Sequence, residues 1–190
     1  MSSTVAGMLL AAGAGRRMGS PKALLRDGAG TAWVVSAARR LHEAGCAPVR
    51  VVVGAGAGDV RELLAGEDVE VVEATGWASG MAASLRAGLA GLAACAPDAD
   101  AVLVHLVDLP DVGADVLRRV ARSASRGGLA RAVYAGRPGH PVLLGRHHWS
   151  EVARSAQGDA GARGYLVAHD VRAVECSDLA SGHDVDTPPG

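Results

Sequence analysis

The chain is 190 residues long, 49% hydrophobic and 21% charged, which suits one globular domain over residues 1–190 and excludes general disorder. Its 19 basic and 20 acidic residues leave a net charge of −1, so the broad positive field that a nucleic-acid partner requires is missing. No apolar run approaches the ~20 residues of a membrane-spanning helix, and the N-terminus lacks a basic segment followed by an apolar one, so a cytoplasmic protein is expected.

Val5–Leu10 reads as a buried strand that opens into a glycine-rich loop. Thr31–Ala44 reads as a helix, with Thr31 placed to cap it and Gly45 to stop it. A strand at Val49–Val53, a short helix at Asp59–Ala65 and a strand at Val69–Val72 follow. Ala82–Ala94 is helical, Ala101–Val107 is a fourth strand and Gly113–Ser123 another helix. Leu129–Tyr134 and Val142–Leu144 read as strands around an irregular glycine-rich loop. Short helices at Trp149–Ser155 and Ala162–His169 and a late strand at Val171–Glu175 complete the pattern. Alternating strands and helices predict an α/β fold: a Rossmann-like, three-layer α/β/α sandwich with a mostly parallel sheet. Ligands on such sheets bind beyond the carboxyl ends of the strands, where the strand order reverses.

The residues after the first strand are the most unusual in the chain. Leu10-Ala11-Ala12-Gly13-Ala14-Gly15-Arg16-Arg17-Met18-Gly19-Ser20-Pro21-Lys22 combines small residues, which let backbone N–H groups approach a ligand, with three cations. That combination suits a polyphosphate. It is not a P-loop, because Ser20-Pro21 follows Gly19, and not a dinucleotide fingerprint, because Met18 stands where the third glycine belongs. Lys22 is the only lysine among the 19 basic residues, in a chain that also lacks Phe, Ile and Asn. Where codon usage favours arginine so strongly, a retained lysine points to a need for a compact, flexible point charge. Gly54–Gly58 misses the dinucleotide pattern at Asp59 and reads as a plain strand-to-helix connection. Cys46, Cys95 and Cys176 form no CxxC pair and are expected to be small buried hydrophobes. His42, His147 and His148 have no metal-ligand spacing.

Three carboxylates in two segments stand out. Asp108, in Leu106-Val107-Asp108-Leu109-Pro110, directly follows an apolar strand and so falls at the ligand edge of the sheet. Magnesium takes hard oxygen ligands, commonly one or two carboxylates plus phosphate oxygens, and Asp108 is its expected first ligand. Asp184 and Asp186 are two apart in Asp184-Val185-Asp186-Thr187-Pro188, and in extended chain they share a side; Asp186 is the favoured ligand of the two. Asp111 reads as a helix cap. Ser84, in the first turn of a helix that begins at Gly80-Met81, can hydrogen-bond a base or ribose, and Trp77 can cover a ligand or simply pack.

Leu10–Lys22 resembles the signature of the MobA-like NTP transferases, most closely the molybdenum cofactor cytidylyltransferase branch. Gly80–Gly88, Asp108-Leu109-Pro110, Gly139-His140-Pro141, Gly158–Arg163 and Asp184–Pro188 resemble further segments of that family, in family order. Val107 and Leu109 depart from the commoner residues around the aspartate, and the chain ends at Pro189-Gly190 where the family usually continues into a final helix. The resemblance implies a nucleotide-diphospho-sugar transferase-like fold and an Mg²⁺-dependent nucleotidyltransferase. It implies that Leu10, Ala11, Ala12, Gly13, Gly15, Arg16, Gly80, Met81 and Ser84 bind nucleotide, with main chain around Leu10–Ala12 facing the base. Lys22 and Arg17 would neutralise phosphate charge, with Asp108, Asp186 and Asp184 at the metal and His140 and Arg163 at the acceptor. The reaction implied is CMP transfer from CTP to a phosphorylated acceptor such as molybdopterin, with a molybdoenzyme or cofactor-insertion partner downstream. A nicotine-blue-type NAD(P)H oxidoreductase on the same fold, transfer to another phosphorylated small molecule, and a non-catalytic nucleotide-binding module are the alternatives.

Overall fold

The computed structural model describes residues 3–15 and 18–185. Seven strands form one sheet: β1 (Val5–Ala11), β2 (Val49–Val53), β3 (Glu70–Glu73), β4 (Ala101–Leu106), β5 (Leu129–Tyr134), β6 (Arg137–Gly145) and β7 (Arg172–Glu175). Their spatial order is 3-2-1-4-6-5-7, and only β6 runs against the rest. Every residue of β1 is buried. A continuous apolar run of this kind is what a central parallel strand covered on both faces requires.

The covering helices are α1 (Trp33–Glu43), α2 (Ala57–Leu64) and α4 (Ala114–Ala121) on one face, and α3 (Met81–Cys95), α5 (Trp149–Ser155) and α6 (Arg163–Val167) on the other. Each lays an apolar stripe on the sheet. In α3 it is Ala82, Leu85, Leu89 and Leu92, at helical spacing; in α4 it is Val116, Leu117 and Val120, while Arg118 and Arg119 complement the negative end of the helix dipole. The expected three-layer α/β/α sandwich with a mostly parallel sheet is therefore the architecture observed. Among the described residues no helix is long and apolar enough to cross a membrane.

The chain steps outward from β1 through β2 to β3, then crosses back to place β4 on the other side of β1. The strand order reverses there, with Leu10 beside Leu106 at the carboxyl ends. The loops after β1 and β4 thus open onto one crevice, the position where doubly wound sheets bind ligands.

Local expectations needed correction in several places. Thr31 does not cap α1: Ala32 is the N-cap, and the Thr31 amide donates to Asp27 Oδ1 at 3.0 Å. The glycine-rich stretch between β5 and β6 is a tight hairpin, because Ala135 (φ 50°) and Gly136 (φ 76°) turn the chain in two residues and pair Tyr134 with Arg137. Asp111 caps no helix; its Oδ2 accepts from the Ser181 amide and hydroxyl and the Gly182 amide, which ties the C-terminal segment down. Cys46 and Cys176 are buried as expected, but Cys95 is exposed, its Sγ accepting from Arg50 at 2.9 Å.

Candidate active site

The crevice holds a first cleft of about 410 Å³. One wall is the loop after β1, from Ala12 to Gly15, and the other is the start of α3, with Trp77, Gly80, Met81 and Ser84. Two glycines make this shape possible. Gly15 has φ +56°, and a Cβ there would lie 2.0 Å from the Ser20 carbonyl oxygen, so the loop can fold back on itself only without a side chain. Gly80 has φ +114°, and its Cβ would lie 2.5 Å from the Gly158 carbonyl carbon. Its absence lets the turn at Gly158–Ala160 close onto the N-terminus of α3 and brings Asp159 to the lip of the cleft.

At the floor, Lys22 Nζ lies 3.0 Å from Asp108 Oδ2. The two residues come from either side of the strand-order reversal, 86 positions apart. Both side chains are largely shielded, at 15% and 22% exposure, so this pair feels a weaker solvent screen than a surface bridge. The other oxygen, Asp108 Oδ1, is buried with no hydrogen-bond partner among the described residues. A buried anionic oxygen left unpaired is costly unless a ligand completes it. It is a hard oxygen on a residue that lines the cleft, which fits a magnesium or manganese ion. Among the described residues no three His, Cys, Asp or Glu side chains cluster as a cage. A cation that keeps several waters and takes phosphate oxygens needs no such cage.

A second cleft of about 330 Å³ adjoins the first, sharing Leu10, Met81, Leu106, Asp108 and Asp159 with it. It runs under α6 to β5 and β6, where His140, Arg163 and Arg131 line it, and Asp184 enters from the C-terminal segment. That segment is pinned at the site: the Val185 amide donates to the Asp108 carbonyl at 3.0 Å. Burial first, and then the charges of Arg131 and Arg163, push His140 down to about 4, so its ring is neutral at neutral pH. Burial lowers Arg131 from the usual guanidinium range, and Arg163 adds to that shift.

The model of the MobA-like NTP transferase domain matches residues 7–173, most of the chain. The chain belongs to the MobA-like NTP transferase family. It is 37% identical to the nicotine blue oxidoreductase of Paenarthrobacter nicotinovorans over 193 residues, covering 96% of this chain and 92% of that protein. Among solved structures it is similar to Rv0371c of Mycobacterium tuberculosis H37Rv, with 30% identity, a TM-score of 0.80 and coverage of 98% and 95% of the two chains. A manganese complex of Rv0371c also matches, at 27% identity and a TM-score of 0.71 over 91% of this chain and 88% of that one. A nucleotidyl transferase from Methanothermobacter shares the fold, with a TM-score of 0.83 at 23% identity over 97% and 92%. The family supports nucleotidyl transfer, while the oxidoreductase relative carries a different activity in its name.

Within this family frame the predicted residues sort by position. Leu10, Ala12, Gly13, Gly15, Lys22, Gly80, Met81, Ser84 and Asp108 all line the first cleft. Ala11 does not: strand alternation turns its side chain into the core on the α1 side. Asp184, His140 and Arg163 line the second cleft. Arg16, Arg17 and Asp186 lie outside the described residues. Two lining residues were not foreseen as functional. Asp159 borders both clefts, and its signal was the motif Gly158–Arg163, where only the arginine drew attention. Arg131 stands in the second cleft, and its signal was one charge interrupting an otherwise apolar strand.

Proposed function

We propose that the protein transfers CMP from CTP to a phosphorylated acceptor such as molybdopterin and releases pyrophosphate. The observation that carries this reading is the Lys22–Asp108 pair at the floor of a glycine-walled cleft, in a chain of the NTP transferase family. An acceptor phosphate oxygen forms a bond to the α-phosphorus, the bond from that phosphorus to the bridging oxygen breaks, and pyrophosphate leaves with the electron pair. The acceptor is already anionic, so no general base is needed, and catalysis is positioning plus charge stabilisation. Amides of the loop after β1 cradle the triphosphate, and Lys22 leaves Asp108 to neutralise the α-phosphate, a role that Arg17 and Arg16 share. Ser84 and the main chain at Leu10–Ala12 read the base and ribose, with Gly80 and Met81 at the start of α3. Asp108, with Asp186 and Asp184, would hold Mg²⁺, which when bound offsets phosphate charge and aligns the attack. His140 and Arg163 hold the acceptor. The protein works as one domain in the cytoplasm and passes its product to a molybdoenzyme or an insertion partner.

Pyrophosphate release is measured with Mg²⁺, each nucleoside triphosphate and molybdopterin-type acceptors. Acceptor-dependent release with CTP and not with the other triphosphates fits the proposal; no release from any combination of triphosphate and acceptor rejects it. The 37% identical oxidoreductase relative favours one second reading, NAD(P)H-dependent reduction of a planar organic substrate in the same crevice. NADH oxidation without pyrophosphate release would select it. A related transferase reading, with a different phosphorylated small molecule as acceptor, is separated by the acceptor panel.

A further inference from the structure

β5 is paired on both edges, to β6 and to β7, and five of its six residues are buried apolar or aromatic side chains. The sixth, Arg131, lies opposite Val142, in register with Val104 on β4. It therefore faces the α3 side of the sheet, among Val104, Val142, Leu144 and Leu166. A valine or leucine would complete that face at no electrostatic cost, whereas a guanidinium must be stripped of water to sit there. Its Nε is buried with no partner among the described residues. Its Nη2 donates one long bond, to the Gly139 carbonyl at 3.5 Å. Among the described residues no carboxylate pairs with it, although Asp159 and Asp184 line the same cleft. Another cation, Arg163, lines the same cleft and its charge acts on Arg131, while the His140 ring, also in that lining, is neutral. Arg131, with a buried nitrogen that has no partner among the described residues, and the solvent-exposed Arg163 beside the same apolar floor form a site that suits an anion. Arginine forks match the spacing of phosphate oxygens, and both can engage one tetrahedral group.

We propose that Arg131, together with Arg163, is the specificity-determining clamp for a phosphate group on the acceptor, with the rest of that molecule lying on the apolar floor of the second cleft. This rests on the reading of the second cleft as the acceptor side, but its test does not need turnover. Inorganic phosphate is titrated calorimetrically into the full chain, the Arg131→Gln, Arg131→Lys and Arg163→Gln variants, and Lys22→Ala, which removes the cation of the first cleft. The expected result is that Arg131→Gln weakens phosphate binding by about tenfold or more, the scale of one lost charge-assisted hydrogen bond pair. Arg163→Gln weakens it less, Arg131→Lys restores part of it, and Lys22→Ala retains it. CTP–Mg²⁺ affinity of Arg131→Gln stays within twofold of the parent. A crystal soaked in selenate gives an anomalous peak between Arg131 and Arg163. Phosphate affinity that falls with Lys22→Ala and is unchanged in both arginine variants would overturn the clamp, as would a selenate peak confined to the first cleft. Citrate binding that depends on Arg131 while phosphate binding does not would also overturn it, in favour of a carboxylate ligand. If no nucleoside triphosphate binds yet phosphate still depends on Arg131, the transferase reading fails and the clamp stands. Should Arg131→Gln not fold, Arg163→Gln and the soak decide the matter.

Discussion

The two clefts share Asp108 and one wall, yet they are built in opposite ways. The first takes its shape from a single contiguous loop and the start of one helix, and its charges meet: Lys22 faces Asp108 at 3.0 Å. The second draws on β4, β5, β6, α3, α6 and the C-terminal segment, and two cations line it with no carboxylate paired to Arg131 among the described residues. A charge pair and a charge without an ionic partner thus mark different kinds of site. Where Lys22 and Asp108 compensate each other, incoming phosphate and metal exchange one set of partners for another. Where Arg131 has no carboxylate partner among the described residues, an anionic ligand would supply one.

The largest effect is expected at the compensated site. Lys22→Ala should lower pyrophosphate release by ~10²–10³, the usual loss on removing one preorganised stabiliser, while Arg131→Gln should act mainly on the acceptor KM. Equal loss of kcat in both variants would erase the distinction between the clefts. Metal removal separates them as well. Chelation with EDTA should abolish nucleotide-dependent turnover and leave phosphate binding in the second cleft intact, measured by calorimetry before and after Mg²⁺ is restored.

A middle-sized effect is expected where the clefts join. Gly80→Ala forces a side chain into φ +114° and against the Gly158 backbone. It should cost about 1–3 kcal/mol, seen as a lower Tm, and displace Asp159 from both lips. An unchanged Tm would mean that the turn at Gly158–Ala160 can move aside freely.

The smallest effect lies beneath the clefts. His105 on β4 is fully buried, faces the α1 side with Ala101 and Leu103, and has no partner for either ring nitrogen among the described residues. Burial first, then the nearby charges of His140 and Arg40, push it from an ordinary 6.5 down to about 3. The folded ring stays neutral while the unfolded chain takes up a proton below about pH 6.5. Its contribution to stability is therefore complete above that pH and is lost between about 6.5 and 3 as acid is added. The slope is at most ~1.4 kcal/mol per pH unit for one group. His105→Leu should flatten that limb and match or exceed the parent at pH 7, as replacement of an unpaired buried polar group by an apolar one allows. Chemical denaturation at pH 7 and pH 5 measures both; an unchanged slope would show that His105 is not the group that titrates.

The architecture was legible in the sequence because burial on both faces forces long apolar runs on central strands and amphipathic spacing on covering helices. Val49–Val53, Leu129–Tyr134 and Trp149–Ser155 fall where the pattern put them, and the other boundaries moved by a few residues at most, apart from β6. That strand begins at Arg137, because Pro138 and Gly139 hide the alternation and only the positive-φ turn at Ala135-Gly136 shows the hairpin. Of the candidate site, the first cleft was readable because one loop supplies a whole wall of it: small residues for backbone approach, a lone lysine for charge. The chain order of residues alone determined the alternating layers, that loop and the carboxylate at the end of β4. Only the tertiary structure decided that Lys22 meets Asp108 across the strand-order reversal, that Gly80 admits Asp159, and that Arg131 stands on an apolar face with no carboxylate partner among the described residues. Those outcomes depend on which distant segments share a few ångströms of space, and burial periodicity within one segment carries no record of its neighbours in another.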